Sequence, residues 1–127
     1  MTEGSLRVLV VEDEMMIAML VEEMVQDLGH TVVGVAMRLE TALELAREAD
    51  IDLAVLDVNL GDAKSFPVAA ILRARGIPFL FATGYGRKGI VEEFADSVVL
   101  NKPYQTTDLE KALAAAQTQG LQTIPTG

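Results

Sequence analysis

The chain has 127 residues, half of them hydrophobic, which predicts a domain with a sizeable core. It contains no cysteine, which excludes disulfides, thiolate metal sites and cysteine nucleophiles. The net charge of −9 argues against a nucleic-acid partner. No apolar run approaches the ~20 residues that cross a bilayer, and the N-terminus has no signal-peptide pattern, so we expect a cytoplasmic protein without membrane contact.

Short, almost continuously apolar runs alternate with longer amphipathic stretches. Strands that are buried on both faces have this composition, and they are typical of parallel sheets. The runs that we interpret as strands are Leu6–Val11, Thr31–Ala36, Leu53–Leu56, Pro78–Ala82 and Ser97–Leu100.

Helical periodicity occupies the stretches between these runs. Ile17, Leu20, Val21, Met24 and Leu28 recur on one helical stripe that ends at Gly29. Further helices are predicted over Leu39–Ala49, from Pro67 to Gly76, over a short Gly89–Ala95 stretch, and over Thr107–Gln119. The strict alternation predicts an α/β, flavodoxin-like, doubly wound (βα)5 fold with a five-stranded parallel sheet in the order 2-1-3-4-5. We expect one domain over residues 1–127, with its core at about residues 5–120 and a frayed tail over Leu121–Gly127.

In such a sheet the ligand site lies at the carboxyl ends of the strands. The residues that end the predicted strands are Glu12 and Asp13, Asp57, Thr83, and Lys102. Taken singly, an acid before a helix can be a cap, and the others can be turn or surface residues. Taken together, the topology places all of them on one rim.

Three carboxylates on one rim repel one another, and one lysine does not balance them. A hard divalent cation with oxygen ligands does, and Mg²⁺ fits because it uses one or two carboxylates together with waters and a phosphate oxygen. A free carboxylate, a cation, a hydroxyl and an ammonium are the groups that phosphoryl transfer to a protein carboxylate requires. The rim therefore predicts that chemistry.

At these residues the sequence resembles the receiver domain of two-component response regulators. The resemblance implies that Asp57 is phosphorylated, and that Asp13, Asp57 and the backbone carbonyl of Asn59 ligate Mg²⁺, with Glu12 supporting the metal through water. It further implies that Lys102 pairs with the acceptor or the phosphate, that Thr83 moves to bond the phosphate, and that the peptide bond before Pro103 is cis.

Two stretches depart from the commoner receiver. Val99 stands where many receivers have a switching aromatic ring three residues before the lysine. Phe81–Gly86 and Asp57–Gly61 resemble the FAT-GUY group of single-domain receivers, which work in alphaproteobacterial general stress phosphorelays with HWE-type kinases. Our hypothesis is that Tyr85, flanked by Gly84 and Gly86, reports phosphorylation; the alternative is that Tyr85 only packs over the mouth of the site and restricts water.

The first helix has methionines outside its core stripe, at Met15, Met16 and Met19. Methionine is common on adaptable binding surfaces. We predict that these residues, together with Pro103 and Tyr104, dock a sensor histidine kinase or histidine phosphotransferase; the alternative is that some of them close the edge of the core. We expect a monomer without an output domain, whose output surface contains Arg87, Lys88 and Lys111 by analogy with the family.

Three other functions are alternatives to a receiver that catalyses only its own phosphorylation and dephosphorylation. A phosphorylation-independent binding module does not require all five rim residues. A Mg²⁺-dependent aspartyl-phosphate phosphohydrolase needs a second acid two residues beyond the nucleophile, where this chain has Asn59. A nucleotide-binding protein of the same fold needs a glycine-rich phosphate loop after the first strand, and Glu12-Asp13-Glu14 stands there.

Overall fold

The computed structural model describes residues 4–122, with side chains up to residue 119. Its elements, in chain order, are β1 Arg7–Val11, α1 Met15–Asp27, β2 Thr31–Ala36, α2 Leu39–Glu48, β3 Leu53–Asp57, β4 Asn59–Leu60, β5 Ala63–Lys64, α3 Phe66–Ala74, β6 Phe79–Thr83, β7 Val98–Asn101 and α4 Thr106–Gln122. Within this described part, none of the helices combines the length and apolar character that spanning a bilayer demands.

The main sheet has five parallel strands in the order β2-β1-β3-β6-β7. Strands β4 and β5 form a separate antiparallel pair, so β6 and β7 are the fourth and fifth strands of the main sheet. The observed order therefore confirms the predicted doubly wound sheet with the order 2-1-3-4-5. Every residue of β3 and β6 is buried. Helices cover both faces, and therefore these two strands contain no solvent-facing positions.

Each face of the sheet has its own apolar core. On one face, α2 and α3 contribute Ala42, Ala46, Val68 and Leu72 to a cluster with strand residues and Phe94. On the other face, α1 and α4 pack through a second set of small and branched residues: Val21, Val25, Leu109, Ala112, Leu113 and Ala116. Two cores hold the strands in a fixed register, and this register sets the positions of the residues at the strand ends.

The predicted short helix over Gly89–Ala95 was wrong. The chain forms two short 3₁₀ turns there, at Gly86–Gly89 and Glu92–Phe94. Gly86, the first residue of the first turn, has φ +61°, a left-handed value outside α-helical geometry.

Arginine side chains replace the missing helical hydrogen bonds in this segment. Arg87 Nη1 donates to the carbonyls of Ala95 and Ser97, and Arg73 Nη1 donates to the carbonyl of Glu93. Arg73 also lies over the ring of Phe94, with 4.5 Å between the guanidinium carbon and the ring centroid. The segment is thus held by tertiary contacts and not by a helical ladder.

The C-terminal helix is longer than its periodicity predicted. It continues to Gln122, past the predicted end at Gln119 and into the predicted tail. The rest of that tail, residues 123–127, lies outside the described residues.

Candidate functional site

The register of the sheet brings the predicted rim residues to one edge. Val11 at the end of β1 pairs with Leu56 in β3, and Asp57 pairs with Ala82 in β6. Thr83 in turn pairs with Asn101, the last residue of β7. Glu12, Asp13 and Lys102 follow directly after these strands. Neighbouring parallel strands therefore present their terminal side chains at the same edge.

One lysine is shared by two buried acids. Lys102 Nζ lies 2.8 Å from Glu12 Oε1 and 3.3 Å from Asp57 Oδ1. Glu12 is 3% exposed and Asp57 is 8% exposed, so water screens this pair of acids weakly. The other oxygen of Glu12 accepts the N–H of Glu14 at 3.1 Å. Two carboxylates thus compete for one ammonium group inside a largely apolar wall.

A third acid completes the cluster. Glu12, Asp13 and Asp57 each have a carboxylate oxygen within 4.8 Å of those of the other two. Hard oxygen donors at this spacing suit Mg²⁺, which accepts one or two carboxylates and keeps its waters. Asp13 is only partly buried, so the cluster is in contact with solvent on its side. The donor set therefore fits the predicted cation.

The electrostatics of the cluster are unbalanced. Burial and the neighbouring charge of Glu12 raise the pKa of Asp57 to about 7, although Lys102 acts in the opposite direction. Burial lowers the pKa of Lys102, but the hydrogen bond to Glu12 and the charge of Asp57 more than compensate and raise it. The ammonium thus stays charged, while the carboxyl of Asp57 is held neutral at mildly acid pH.

Thr83 lies beside the acids, at the end of the next strand. Its side chain is buried, and its Oγ1 accepts the backbone N–H of Tyr85 at 3.0 Å. Its carbonyl accepts the N–H of Lys102 at 2.9 Å, which links the two strand ends. Tyr85 itself is 72% exposed. The hydroxyl therefore connects the acid-rich rim to an exposed aromatic residue through one backbone amide.

The residues after Lys102 close one side of the rim. The Lys102–Pro103 peptide bond is cis. Tyr104 is partly buried against the core beneath α1 and α4. Burial, with the negative charges of Glu12 and Asp57, raises the pKa of Tyr104 to about 12. Its hydroxyl therefore stays neutral at physiological pH.

Three of the four methionines of α1 form an exposed apolar patch that begins close to the rim. Met15, Met16 and Met19 are 62%, 80% and 61% exposed, and Leu20 of the same helix is exposed as well. The patch begins two residues after Asp13. The structure thus places these side chains on the surface and outside the core.

Sequence reasoning missed the hairpin that β4 and β5 form after Asp57. The half-buried Asn59 pairs with Lys64 across it, and Lys64 Nζ donates to Asn59 Oδ1. Gly61, in the turn of this hairpin, donates its N–H to Asp13 Oδ2 at 2.8 Å. A glycine followed by a polar residue between two short apolar-containing stretches is a two-residue hairpin signal, and Gly61-Asp62 could have been recognised by it.

A shallow groove adjoins the site on the side of Thr83. A Cβ placed on Gly89 would lie 3.7 Å from Thr83 Oγ1, at ordinary contact distance from the hydroxyl. The groove is lined by Val58, Asn59, Lys64, Tyr85, Lys88 and Gly89. Its two lysines place positive charge next to an otherwise acidic rim.

Comparison with known proteins gives a consistent family. The chain is 31% identical to the phyllosphere-induced regulator PhyR of Methylorubrum extorquens over 113 residues, covering 86% of this chain and 42% of PhyR. It is 32% identical to the transcriptional regulatory protein PdtaR of Mycobacterium tuberculosis over 114 residues, covering 87% of this chain and 56% of PdtaR. The chain thus spans about half the length of these curated relatives.

A solved structure covers the chain almost completely. The solution structure of SdrG from Sphingomonas melonis Fr1 is similar with a TM-score of 0.81 and 43% identity, covering 91% of this chain and 98% of SdrG. The family model for the response regulator receiver domain matches residues 8–114. These matches confirm the resemblance inferred from the rim residues, and the chain belongs to the response regulator receiver domain family.

Proposed function

We propose that this chain receives a phosphoryl group on Asp57 from the phosphohistidine of a sensor histidine kinase or histidine phosphotransferase. The observation that carries this proposal is the shared contact of Lys102 Nζ with Glu12 and Asp57, at 2.8 and 3.3 Å. A structural salt bridge needs one acid, whereas a phosphoryl acceptor needs a carboxylate, an ammonium and a second acid for the cation. Family membership supports the same chemistry.

The transfer follows from the chain's own groups. An oxygen of Asp57 attacks phosphorus, the bond between phosphorus and the donor imidazole nitrogen breaks, and that nitrogen keeps the electron pair. Lys102 holds one phosphoryl oxygen by charge, and the Thr83 hydroxyl donates to another after turning away from the Tyr85 amide. Asp13, Asp57 and the Asn59 carbonyl would hold Mg²⁺, with Glu12 acting through water, and the ion would neutralise further charge on the phosphoryl group.

The deciding experiment compares wild type with Asp57→Asn in acetyl phosphate or beryllofluoride, with and without Mg²⁺. We expect a Mg²⁺-dependent change in the wild-type amide spectrum and no change in Asp57→Asn. Asp62→Asn, an exposed acid in the nearby turn, is the matched control and should respond like wild type. A response that persists in Asp57→Asn would overturn the site. A wild type that never responds would favour a phosphorylation-independent binding module.

We propose further that the methionine patch of Met15, Met16 and Met19, together with Pro103 and Tyr104, docks the helices that present the phosphohistidine. Exposure of the patch and its position beside the acids support this role. Met16→Asp or Met19→Asp should slow transfer from a kinase at least ~10-fold, because a desolvated charge at an interface is costly. Transfer from acetyl phosphate should stay unchanged, and equal slowing of both reactions would reject docking.

Tyr85 is proposed as the reporter of phosphorylation. Its amide is released when the Thr83 hydroxyl turns to the phosphate, and two flanking glycines let the loop move. The chain has two tyrosines and no tryptophan, so Tyr85→Phe isolates the signal of Tyr104. We expect beryllofluoride with Mg²⁺ to change tyrosine fluorescence in wild type and much less in Tyr85→Phe. An equal change in tyrosine fluorescence in both proteins would favour the alternative that Tyr85 only packs over the mouth of the site.

The signal is proposed to leave through protein contacts in a bacterial general stress phosphorelay, with the chain acting as a monomer in the cytoplasm. The surface proposed for this role is the segment around Arg87 and Lys88, which follows Tyr85 in the chain, together with the exposed Lys111 of α4. Replacement of Lys88 and Lys111 by Ala keeps the hydrogen bonds of Arg87 to the Ala95 and Ser97 carbonyls and should leave phosphorylation by acetyl phosphate intact. It should remove binding of the phosphorylated chain to its target, and retained binding would place the output surface elsewhere.

A further inference from the structure

The turn between β4 and β5 contacts the acidic cluster through one backbone amide. Gly61 N–H donates to Asp13 Oδ2 at 2.8 Å, although the two residues are 48 positions apart. A carboxylate has two oxygens, so the amide occupies one and leaves the other available to a cation. We propose that the Gly61 amide positions Asp13 for a divalent cation; this inference rests on the metal-dependent function proposed above.

The position of this amide depends on a backbone conformation that glycine adopts readily. Gly61 has φ +63°, in the left-handed region that side chains with a Cβ disfavour. A Cβ at Gly61 would meet no atom within 4 Å. Gly61 is therefore required for its positive φ and not for lack of space. A substitution there changes the backbone angle, and with it the position of the amide, without introducing a steric clash.

The hairpin around Gly61 is anchored on both sides. Leu60 is buried in the core on the face of α2 and α3. Asn59 pairs with Lys64, and Ser65 N–H donates to the carbonyl of Val58 at 2.9 Å. An amide held by a fixed hairpin orients its acceptor without further ordering when the cation arrives, as outer-shell partners of metal ligands do.

The effect of losing this amide is measurable as metal affinity. Removal of an outer-shell hydrogen bond typically weakens metal binding ~10–100-fold. Gly61→Ala moves the amide by forcing the backbone away from positive φ. Gly61→Asn keeps it, since asparagine tolerates the left-handed region better than other side chains. Gly76→Ala is the matched control, because Gly76 has φ +73° and equally open space, at the end of α3 and away from Asp13.

The experiment titrates each metal-free protein with Mg²⁺ alone, by calorimetry at about pH 8, where Asp57 is ionised. We expect Gly61→Ala to bind Mg²⁺ ~10-fold more weakly than wild type, Gly61→Asn to stay within ~3-fold, and Gly76→Ala to be unchanged. Wild-type affinity in Gly61→Ala would overturn the inference, as would equal weakening in Gly76→Ala. Failure of wild type itself to bind Mg²⁺ would instead overturn the proposed function.

A second measurement works even if Gly61→Ala does not fold. Amide hydrogen exchange of Gly61 should be slow in the wild type and at least ~10-fold faster in Asp13→Ala, because the acceptor is gone. The Ser65 amide, bonded to Val58, should not change and serves as the internal reference. Unprotected exchange of Gly61 in the wild type, or protection that survives in Asp13→Ala, would reject the positioning role.

Discussion

The two ends of the sheet treat acidic side chains in opposite ways. At the amino end, Arg7 donates from Nε to Asp52 Oδ2 and from Nη2 to Oδ1, each at 3.0 Å, in contact with water. The hydrogen bond from the Arg7 side chain lowers the pKa of Asp52, although burial acts against it. At the carboxyl end, two buried acids share Lys102, and the pKa of Asp57 is raised to about 7. Asp52 thus has a cation of its own, whereas Asp57 must share one ammonium group with Glu12.

This difference explains why one end of the sheet is a site and the other is not. A paired acid at the surface gains little from another cation, because water already screens it. An acid held among apolar residues beside a second acid gains much from any cation that enters, because screening is weak there. The site is therefore identified by where buried carboxylates outnumber the neighbouring cations, more than by the number of acids.

The largest test of this comparison removes the shared cation. Lys102→Met leaves Glu12 and Asp57 without positive charge, and we expect a loss of about 3 kcal/mol in the free energy of unfolding of the metal-free protein. Urea titration measures it, with Lys111→Met on the exposed side of α4 as the matched control. Arg7→Met at the opposite end should lose much less. Equal stability of Lys102→Met and Lys111→Met would show that the rim charges are screened.

The next test uses the opposite pH dependence of the two ends. The pKa of Asp57 is raised in the folded state, so ionisation of Asp57 lowers the free energy of unfolding of the wild type as pH rises from about 4 to about 7. Above about pH 7 this loss is complete and stays constant. Asp57→Asn avoids this loss and should be more stable than wild type on the order of 2 kcal/mol at pH 8 without Mg²⁺. The advantage should vanish near pH 4.

Asp52 gives the contrasting sign for that experiment. Its pKa is lowered in the folded state, so its contribution is present at neutral pH and is lost as pH falls through the acid range. Asp52→Asn should therefore be less stable than wild type at neutral pH, and the difference should shrink on acidification. Parallel pH profiles for the two variants would contradict the comparison between the ends.

A smaller effect is expected on metal affinity. Mg²⁺ requires ionised Asp57, whose pKa is about 7 in the metal-free chain, so binding should release a proton. Below that pKa, affinity should rise ~10-fold for each pH unit and should level off above about pH 8. Calorimetry in buffers of different ionisation enthalpy measures the proton released. An affinity that does not vary over this pH range would show that Asp57 stays ionised throughout.

The sequence predicted the sheet and the rim because both depend on local pattern and chain direction. Continuous apolar runs such as Leu53–Leu56 mark strands buried on both faces, and parallel strands place their carboxyl ends at one edge. Glu12, Asp57 and Lys102 could therefore be assigned to one place without coordinates. Their contacts at 2.8 and 3.3 Å agree with that assignment.

The features that pattern did not predict depend on contacts between distant residues. The stretch around Gly89 has the sequence pattern of a helix. Its carbonyls instead accept hydrogen bonds from side chains: Arg73 of α3 donates to Glu93, and Arg87 donates to Ala95. The bond from Gly61 to Asp13 joins residues 48 positions apart, and no periodicity encodes it. Side chains that bond backbone groups across the fold override local propensity in both places.

The smallest expected effect concerns a buried polar group that has no charge and no hydrogen-bond partner. The test asks whether such a group contributes to Mg²⁺ binding. Ser65 Oγ is buried and, among the described residues, has no hydrogen-bond partner. A buried hydroxyl without a partner lowers stability, so Ser65→Ala should be neutral or more stable by up to ~1 kcal/mol. Mg²⁺ affinity should not change, because a neutral hydroxyl attracts a cation far less than a carboxylate does. A loss of affinity would extend the site beyond its charged residues and would tie Ser65 to the hairpin that contacts Asp13.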